Sequence, residues 1–268
     1  MSSLAAPVVP IRLDVRDVRK SYGGVQAVAD VTLRCGVGEI LAVIGPNGAG
    51  KTTLFGLISG DLRCDRGRID IDGRAVQGMS AARRARVGVS RTFQVAQVME
   101  RLTVRDNLTL AAAVVENLAL RWTRRVGHGD RAAARVAPLI ERLDLIAKAD
   151  QLAGGLSQGE RKRLDIGMAL VQRPSLLLLD EPTAGMGPED VEATTRTLAE
   201  IHREYPELSM VFTAHDMSVV FGLAHTVALM VDGRLELTGT PTEIRGSSQA
   251  QAAYLGQRYA AQSAQGRR

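Results

Sequence analysis

The clearest chemical pattern in the sequence is the nine-residue stretch Gly45–Thr53. It fits the glycine-rich pattern G-x-x-x-x-G-K-[ST], whose backbone N–H groups surround phosphate groups at the start of a helix. Lys51 would reach the β- and γ-phosphates of a nucleoside triphosphate, and the Thr52 hydroxyl would be a ligand of Mg²⁺. The predicted phosphate-binding residues are Gly45, Pro46, Asn47, Gly48, Ala49, Gly50, Lys51, Thr52 and Thr53.

The segments on either side of this loop have the character that phosphate binding requires. Ile40–Ile44 is an apolar run of strand length, and Leu54–Ile58 can continue as a helix. The alternative is a glycine-rich turn that binds nothing, and it does not explain why a strand and a helix flank the loop. The sequence therefore predicts that the chain binds a nucleoside triphosphate.

Two acids and a histidine follow apolar runs further along the chain. Ser175–Leu179 contains four consecutive leucines, which indicates a strand buried on both faces of a parallel sheet, and Asp180 and Glu181 come directly after it. Ligands of open α/β sheets bind at the carboxyl ends of the strands, where these two acids are predicted to lie. Burying a carboxylate destabilises the fold unless a bound cation or a proton transfer makes use of it. We therefore predict that Asp180 is the acid that contacts Mg²⁺ and that Glu181 is a general base. His215 likewise follows the apolar run Met210–Ala214.

Two further features are ambiguous when taken alone. Ser157 and Glu160 have the spacing of a capping box at the start of an amphipathic helix, and a well-capped helix needs no further function. Tyr22 is an aromatic residue in the predicted turn Ser21–Gly24, 23 positions ahead of Gly45. Stacking on an adenine ring and an incidental surface position are both open for Tyr22 on this observation.

The composition is that of a globular protein with an anionic partner. Of the 268 residues, 45% are hydrophobic and 24% are charged, and the net charge is +5. Aromatic residues make up only 3%, which argues against a base-stacking surface for single-stranded nucleic acid. We expect no nucleic acid partner. No apolar run approaches the ~20 residues that span a bilayer, so we expect neither a membrane span nor an export signal. Cys35 and Cys64 match no metal-binding spacing, and we expect both to be reduced thiols.

The rest of the pattern predicts the elements that position these residues. Strands are predicted at residues 11–15, 25–33, 67–73, 175–179 and 210–214, with the second one interrupted near Ala29–Asp30. From Thr103 to Leu145 the pattern is helical: Thr103–Asp106 caps one helix, and Ala137-Pro138 can open another. A basic run predicts a solvated face, or else a contact with lipid headgroups or a partner, and it comprises Arg121, Arg124, Arg125, Arg131 and Arg135.

Taken together, these pieces resemble the ATP-binding subunit of an ABC transporter over nearly the whole chain. Gln94 falls at the family's Q-loop glutamine, Leu156–Glu160 resembles the ABC signature, and Leu176–Glu181 resembles the Walker B strand with its following glutamate. His215 matches the switch histidine, and Tyr22 matches the aromatic position that stacks on adenine. The order and spacing of these motifs are specific, because other phosphate-loop ATPases lack the signature.

The resemblance implies a fold and a domain organisation. The fold is α/β: a P-loop NTPase (RecA-like) core with an N-terminal antiparallel β subdomain and an inserted α-helical subdomain at about residues 95–165. The ATP-binding domain would cover residues 11–258, between a flexible N-terminus at 1–10 and a flexible basic tail at 259–268.

The resemblance also implies a site shared between two subunits, with ATP and Mg²⁺ as cofactors. One subunit holds MgATP, and the helix start of the other caps the γ-phosphate, where orphan N–H groups favour an anion. The implied catalytic residues are Glu181, His215 and Gln94. The implied metal ligands are Thr52, Gln94 and Asp180. The implied γ-phosphate cap is Ser157, Gln158, Gly159 and Glu160.

Shorter segments are similar to the LivG-type subunits that energise uptake of branched-chain amino acids. These segments are Ser90–Gln94, Leu164–Leu170, Ala184–Met186, His215–Met217 and Tyr254–Gly256. The implied partners are two membrane permease subunits, a second ATP-binding subunit (a LivF-like one or another copy), and a periplasmic or extracellular solute-binding protein. The implied location is the cytoplasmic face of the plasma membrane.

Other functional classes stay open beside this one. Urea and short-chain amide importers have closely similar ATP-binding subunits, and a non-transport ABC ATPase is a further alternative. Two positions depart from the subfamily's pattern: Gly187 stands where Asp or Asn is usual, and Ala214 stands where Glu is usual.

Overall fold

Two β-sheets and the helices around them form the part of the chain described by this computed structural model, residues 10–115 and 130–252. Most of the predicted flexible N-terminus, the predicted tail and the Tyr254–Gly256 segment lie outside these residues, as do Arg121, Arg124 and Arg125. None of the helices described has the length and the apolar content needed to cross a lipid bilayer.

Strands and helices are interspersed along the chain, as in an α/β protein. The strands are β1 (Ile11–Tyr22), β2 (Val25–Gly36), β3 (Ile40–Ile44), β4 (Arg66–Ile71), β5 (Arg74–Ala75), β6 (Val89–Thr92), β7 (Leu176–Leu179), β8 (Ser209–Thr213), β9 (Thr226–Val231) and β10 (Arg234–Gly239). The α-helices are α1 (Lys51–Ser59), α2 (Ala81–Arg86), α3 (Val104–Val115), α4 (Asp130–Arg142), α5 (Gln158–Leu170), α6 (Pro188–Glu204), α7 (Met217–Leu223) and α8 (Pro241–Gly246).

The six-stranded sheet has the order β10-β9-β3-β8-β7-β6. Its strands are parallel except at one edge, where β10 returns antiparallel along β9. Every residue of β3 and β7 is buried, as expected for strands covered on both faces. Because the strands are parallel, the carboxyl ends of β3, β6, β7 and β8 all lie at the same edge of the sheet.

A smaller antiparallel sheet, with the order β2-β1-β4-β5, confirms the predicted N-terminal β subdomain. The prediction of a turn at Ser21–Gly24 was wrong in part, because β1 continues through Tyr22 and only Gly23 and Gly24 turn. The interruption predicted near Ala29–Asp30 is a shift of the pairing register, with Asp30 at φ 53°, and β2 continues beyond it. The subdomain packs its apolar face against α1, through side chains such as Val15 and Phe55.

The described residues between β6 and β7 contain the helices α3, α4 and α5. Helices α3, α4 and α5 pack on the other face of the parallel sheet, in a core that includes Leu108, Leu143 and Leu164. Helix α3 is capped as predicted, since the Asp106 N–H donates to Thr103 Oγ1 at 3.0 Å. The prediction that Pro138 opens a helix was wrong: α4 already begins at Asp130, because the helix-forming residues ahead of Pro138 continue without a break. The boundaries 95–165 of the inserted subdomain stay a prediction.

A buried arginine fixes the far end of the phosphate loop's helix. Arg84, on α2, donates hydrogen bonds to the carbonyl oxygens of Leu57 and, at 2.7 Å, of Ile58, in the last turn of α1. Burial lowers the pKa of Arg84. A cation at a helix C-terminus is favoured by the helix dipole, so Arg84 holds α1 at the end opposite to the phosphate loop.

Candidate active site

The phosphate loop has a backbone course that only glycine allows at two points. Gly45 has φ +147°, and a Cβ there would lie 2.0 Å from the carbonyl oxygen of Met230. Gly50 has φ +94°, and its Cβ would lie 2.2 Å from the carbonyl oxygen of Ala27. Helix α1 begins at Lys51 with no side-chain cap, so the N–H groups of its first turn are available to an anion.

Lys51 is buried at the start of α1 and points back over the loop. Its Nζ donates to the carbonyl oxygens of Gly45 at 2.7 Å and Pro46 at 3.0 Å. Burial lowers the pKa of Lys51, and the nearby charges of Glu181 and Asp180 act in the opposite direction. The structure therefore brings the predicted cation and the two predicted acids into one electrostatic neighbourhood.

Asp180 follows β7 directly and is held by two neighbours. Its Oδ1 accepts a hydrogen bond from Thr213 Oγ1 at 2.9 Å, and its Oδ2 accepts one from Arg91 Nη2 at 2.9 Å. Arg91 also donates to Asp61 Oδ2 at 2.9 Å, near the end of α1. Each donor satisfies one of the several lone pairs of the carboxylate, so the Asp180 side chain is held in one orientation and keeps further acceptor capacity.

Glu181 is the point where the other predicted residues meet. Gln94 Nε2 donates to Glu181 Oε2 at 3.2 Å, and His215 Nε2 lies 2.7 Å from Glu181 Oε1. The backbone N–H of Glu181 donates to Thr213 Oγ1 at 2.9 Å. Glu181 has φ +46°, a left-handed conformation that is uncommon for a side chain of this kind and that occurs often at functional sites.

Three strand ends therefore deliver the acid, the amide and the imidazole to one place. Gln94 comes two residues after β6, Glu181 comes two residues after β7, and His215 comes two residues after β8. A carboxylate with an imidazole and an amide on its two oxygens is suited to hold and polarise a water molecule. This arrangement can take a proton from that water while the neighbouring lysine balances phosphate charge.

Two residues of the site were missed by the reasoning from sequence. Arg91 stands inside the segment Ser90–Gln94, and its position just ahead of Gln94 was the only available signal. Thr213 ends the apolar strand β8, where nothing local distinguishes its hydroxyl from a packing residue. Both matter because they contact Asp180.

The signature residues form the predicted capping box. The Glu160 N–H donates to Ser157 Oγ at 3.2 Å, and the Ser157 N–H donates to Glu160 Oε2 at 2.8 Å. Lys148 forms an ion pair with Glu160, and Gln158 Nε2 donates to the Ala184 carbonyl at 3.2 Å. Among the described residues, no hydrogen bond joins this helix start, Ser157–Glu160, to the phosphate loop. The helix start and the phosphate loop are therefore separate features of the single chain.

Tyr22 lies at the end of β1 with 47% of its surface exposed. The Lys20 ammonium group lies 5.4 Å from the centre of its ring. No hydrogen bond or ring contact in the described part of the chain links Tyr22 to the phosphate loop. The ring is accessible, and its stacking role stays a prediction.

The donor atoms at the sheet edge fit a magnesium ion. Mg²⁺ prefers hard oxygen ligands and is bound in nucleotide sites by one or two carboxylates together with phosphate oxygens. Thr52 supplies an exposed hydroxyl, Asp180 a carboxylate, and Gln94 an amide oxygen that is left free when its nitrogen donates to Glu181. The described residues contain no cluster of three or more His, Cys, Asp or Glu side chains, which a metal held by the protein alone would need.

Comparisons with known proteins agree with this geometry. The family model described as "ABC transporter" matches residues 28–184. The branched-chain amino acid transport ATP-binding protein LivG of Salmonella typhimurium is 32% identical over 255 residues, which cover 91% of this chain and 98% of LivG. BraF of Pseudomonas aeruginosa, which has the same description, is 31% identical with the same coverage.

A solved structure matches the fold over the same extent. A nucleotide-free ATP-binding cassette from an ABC transporter superposes with a TM-score of 0.80, at 23% identity, and covers 91% of this chain and 98% of its own.

Proposed function

The chain belongs to the ABC transporter family and is an ATP-binding subunit with ATPase activity, and from that premise we propose that it drives uptake of branched-chain amino acids. The observation that carries this proposal is the similarity to LivG and BraF, which extends over 98% of each relative. The carboxyl edge of the parallel sheet supports the ATPase activity on which this proposal rests, because Glu181 lies there in contact with Gln94 and His215. The charges of Glu181 and Asp180 also act on Lys51.

In the proposed mechanism Glu181 polarises the attacking water. His215 and Gln94 keep the carboxylate in place through the contacts at 2.7 and 3.2 Å. Lys51 and the N–H groups of the phosphate loop balance the charge that develops on the transferred phosphate. The acid, the amide and the imidazole come from three different strands, so small movements of the sheet edge would change the hydrolysis rate.

Mg²⁺ would be held by Thr52, Asp180 and Gln94, and when bound it would supply counter-charge to the phosphates. Arg91 and Thr213 orient Asp180 for that purpose through the contacts already described.

The proposed partners are a second ATP-binding subunit, two permease subunits and a solute-binding protein outside the membrane. The second subunit is another copy or a LivF-like chain, and the helix start Ser157–Glu160 of each would cap the γ-phosphate bound by the other. A permease loop would dock on the surface near Val95–Thr103, where Val95 is 73% exposed and Met99 is also exposed. The chain would work at the cytoplasmic face of the plasma membrane.

Tyr22→Ala is expected to weaken ATP binding by about 1–3 kcal/mol, the range for losing one base–aromatic stack. Tyr22→Phe keeps the ring and should bind ATP as the wild type does. Isothermal titration with ATP measures both affinities. An unchanged affinity in Tyr22→Ala would mean that the ring is an incidental surface feature.

Uptake of labelled leucine by cells tests the proposed substrate class. Cells lacking the gene should lose high-affinity leucine uptake and regain it with the wild-type gene, but not with the Glu181→Gln variant. Urea and acetamide are measured in parallel. If urea or acetamide uptake depends on the gene while leucine uptake does not, the substrate proposal is wrong and the family assignment is unaffected.

A further inference from the structure

Two buried charges on the signature helix have no place in the mechanism so far. Lys162 and Asp165 lie one turn apart on α5, so their side chains share one face of the helix. They are only 3% and 6% exposed. A buried charge destabilises a fold unless it is paired and hydrogen-bonded, so these two side chains need an explanation.

Lys162 joins the ends of two strands. Its Nζ donates to the carbonyl oxygens of Phe93 and, at 3.4 Å, of Gln94, just beyond β6. It also donates to the carbonyl oxygen of Asp180, beyond β7, at 3.4 Å. A lysine ammonium has three N–H donors, and these three carbonyls use all of them.

Asp165 contacts the same segment at its other end. Its Oδ1 accepts a hydrogen bond from the backbone N–H of Gln97 at 3.3 Å. We call Phe93–Gln97 the Gln94 segment. One helix therefore holds this segment at both ends, while Gln94 between them donates to Glu181 at 3.2 Å.

We infer that Lys162 and Asp165 are positioning residues that hold the Gln94 segment so that the Gln94 amide reaches Glu181. The inference rests on the proposed role of Gln94 in hydrolysis. An apolar pair would fill the same space at lower desolvation cost, but it would leave the carbonyls of the segment unpaired and its course unspecified. Since α5 begins just after Ser157, the same two contacts connect the helix that would face the other subunit in the proposed dimer to the proposed general base.

Substitution of Lys162 by methionine keeps the length of the side chain and removes the charge and the donors. We expect the Gln97 amide to exchange hydrogen about tenfold faster, because the segment opens locally. We expect kcat for ATP to fall about tenfold with KM nearly unchanged, because the Gln94 amide is misplaced while the phosphate loop is untouched. Lys162→Arg keeps the charge and donors and should restore most of both properties.

Arg163→Met is the matched control. Arg163 is the next residue of α5 and is also buried, at 6% exposed. It donates to the Leu143 carbonyl and to Asp190 rather than to the Gln94 segment. Hydrogen exchange is measured by mass spectrometry on the isolated full chain without nucleotide. Thermal unfolding of both variants shows how much of any effect is general destabilisation.

The inference would be overturned if the exchange rate of the Gln97 amide were unchanged in Lys162→Met. It would also be overturned if Arg163→Met raised that rate by the same factor. Should Lys162→Met not fold, Asp165→Ala removes the other contact, and the same exchange measurement decides. Faster exchange with an unchanged kcat would instead contradict the proposed role of Gln94 in hydrolysis. The exchange experiment needs no ATP, so it tests the positioning role of Lys162 and Asp165 separately from the proposed role of Gln94 in hydrolysis.

Discussion

Glu181→Gln is expected to leave ATP binding intact and to lower kcat by about 10²–10⁴-fold, the range for losing a general base. The glutamine side chain has nearly the same shape and can still contact Gln94 and His215, but it cannot accept the proton of the attacking water. The phosphate loop and Lys51 are unchanged, so the affinity for ATP should be retained. Steady-state phosphate release measures kcat, and isothermal titration measures ATP affinity.

Glu189→Gln is a suitable control for that experiment. Glu189 is an exposed acid in the first turn of α6, and it forms no ion pair among the described residues. Its substitution removes the same charge eight positions away and should leave kcat unchanged. Equal turnover in the wild type and in Glu181→Gln would remove Glu181 from the mechanism.

Lys51→Ala and Ser157→Arg are each expected to abolish ATPase activity, and a mixture of the two variants is expected to regain part of it. Lys51→Ala removes the main counter-charge to the phosphates, so binding at micromolar ATP should be lost. Ser157→Arg places a bulky side chain at the helix start that would face the partner's γ-phosphate. In a mixed dimer one of the two shared sites contains both substitutions. The other contains wild-type Lys51 and wild-type Ser157, so it is intact.

The activity of the mixture is measured at several ratios, with subunit exchange followed independently through a labelled subunit. A site built within one chain predicts no recovery at any ratio. Persistent inactivity despite demonstrated exchange would therefore contradict the shared site. If the natural partner is a LivF-like chain, the arginine substitution belongs in the signature of that partner, and the same reasoning applies.

The phosphate loop and the acids after β7 could be predicted because their signals are local. A glycine-rich loop between an apolar run and a helix is read from a few adjacent residues, and four leucines before two acids define a buried strand end. The capping box at Ser157 is equally local, and the structure contains it. Because the strands are parallel, the residues that follow β6 and β8 lie near those that follow β7. A parallel sheet is therefore enough to predict that Gln94 and His215 lie near Glu181.

The contacts that support the site could not be predicted in the same way. Arg91 meets Asp180 across 89 positions of sequence, and Lys162 meets Phe93 across 69. Such pairs depend on how helices and strands pack, and a charged residue within an amphipathic helix is ordinarily solvated. The prediction that Pro138 opens a helix was wrong for the opposite reason. The local preference of proline for a helix start was overridden by the helix-forming residues ahead of it.

The left-handed backbone at Glu181 affects how this protein can be made more stable to heat. Holding a glutamate at φ +46° costs about 1–3 kcal/mol of stability, and glycine would adopt the same conformation without that cost. A selection for heat resistance alone would therefore favour glycine at this position and accumulate well-folded chains that cannot hydrolyse ATP. Thermostable and active variants can be selected only when hydrolysis is required in the same screen, because at residue 181 the two properties favour different amino acids.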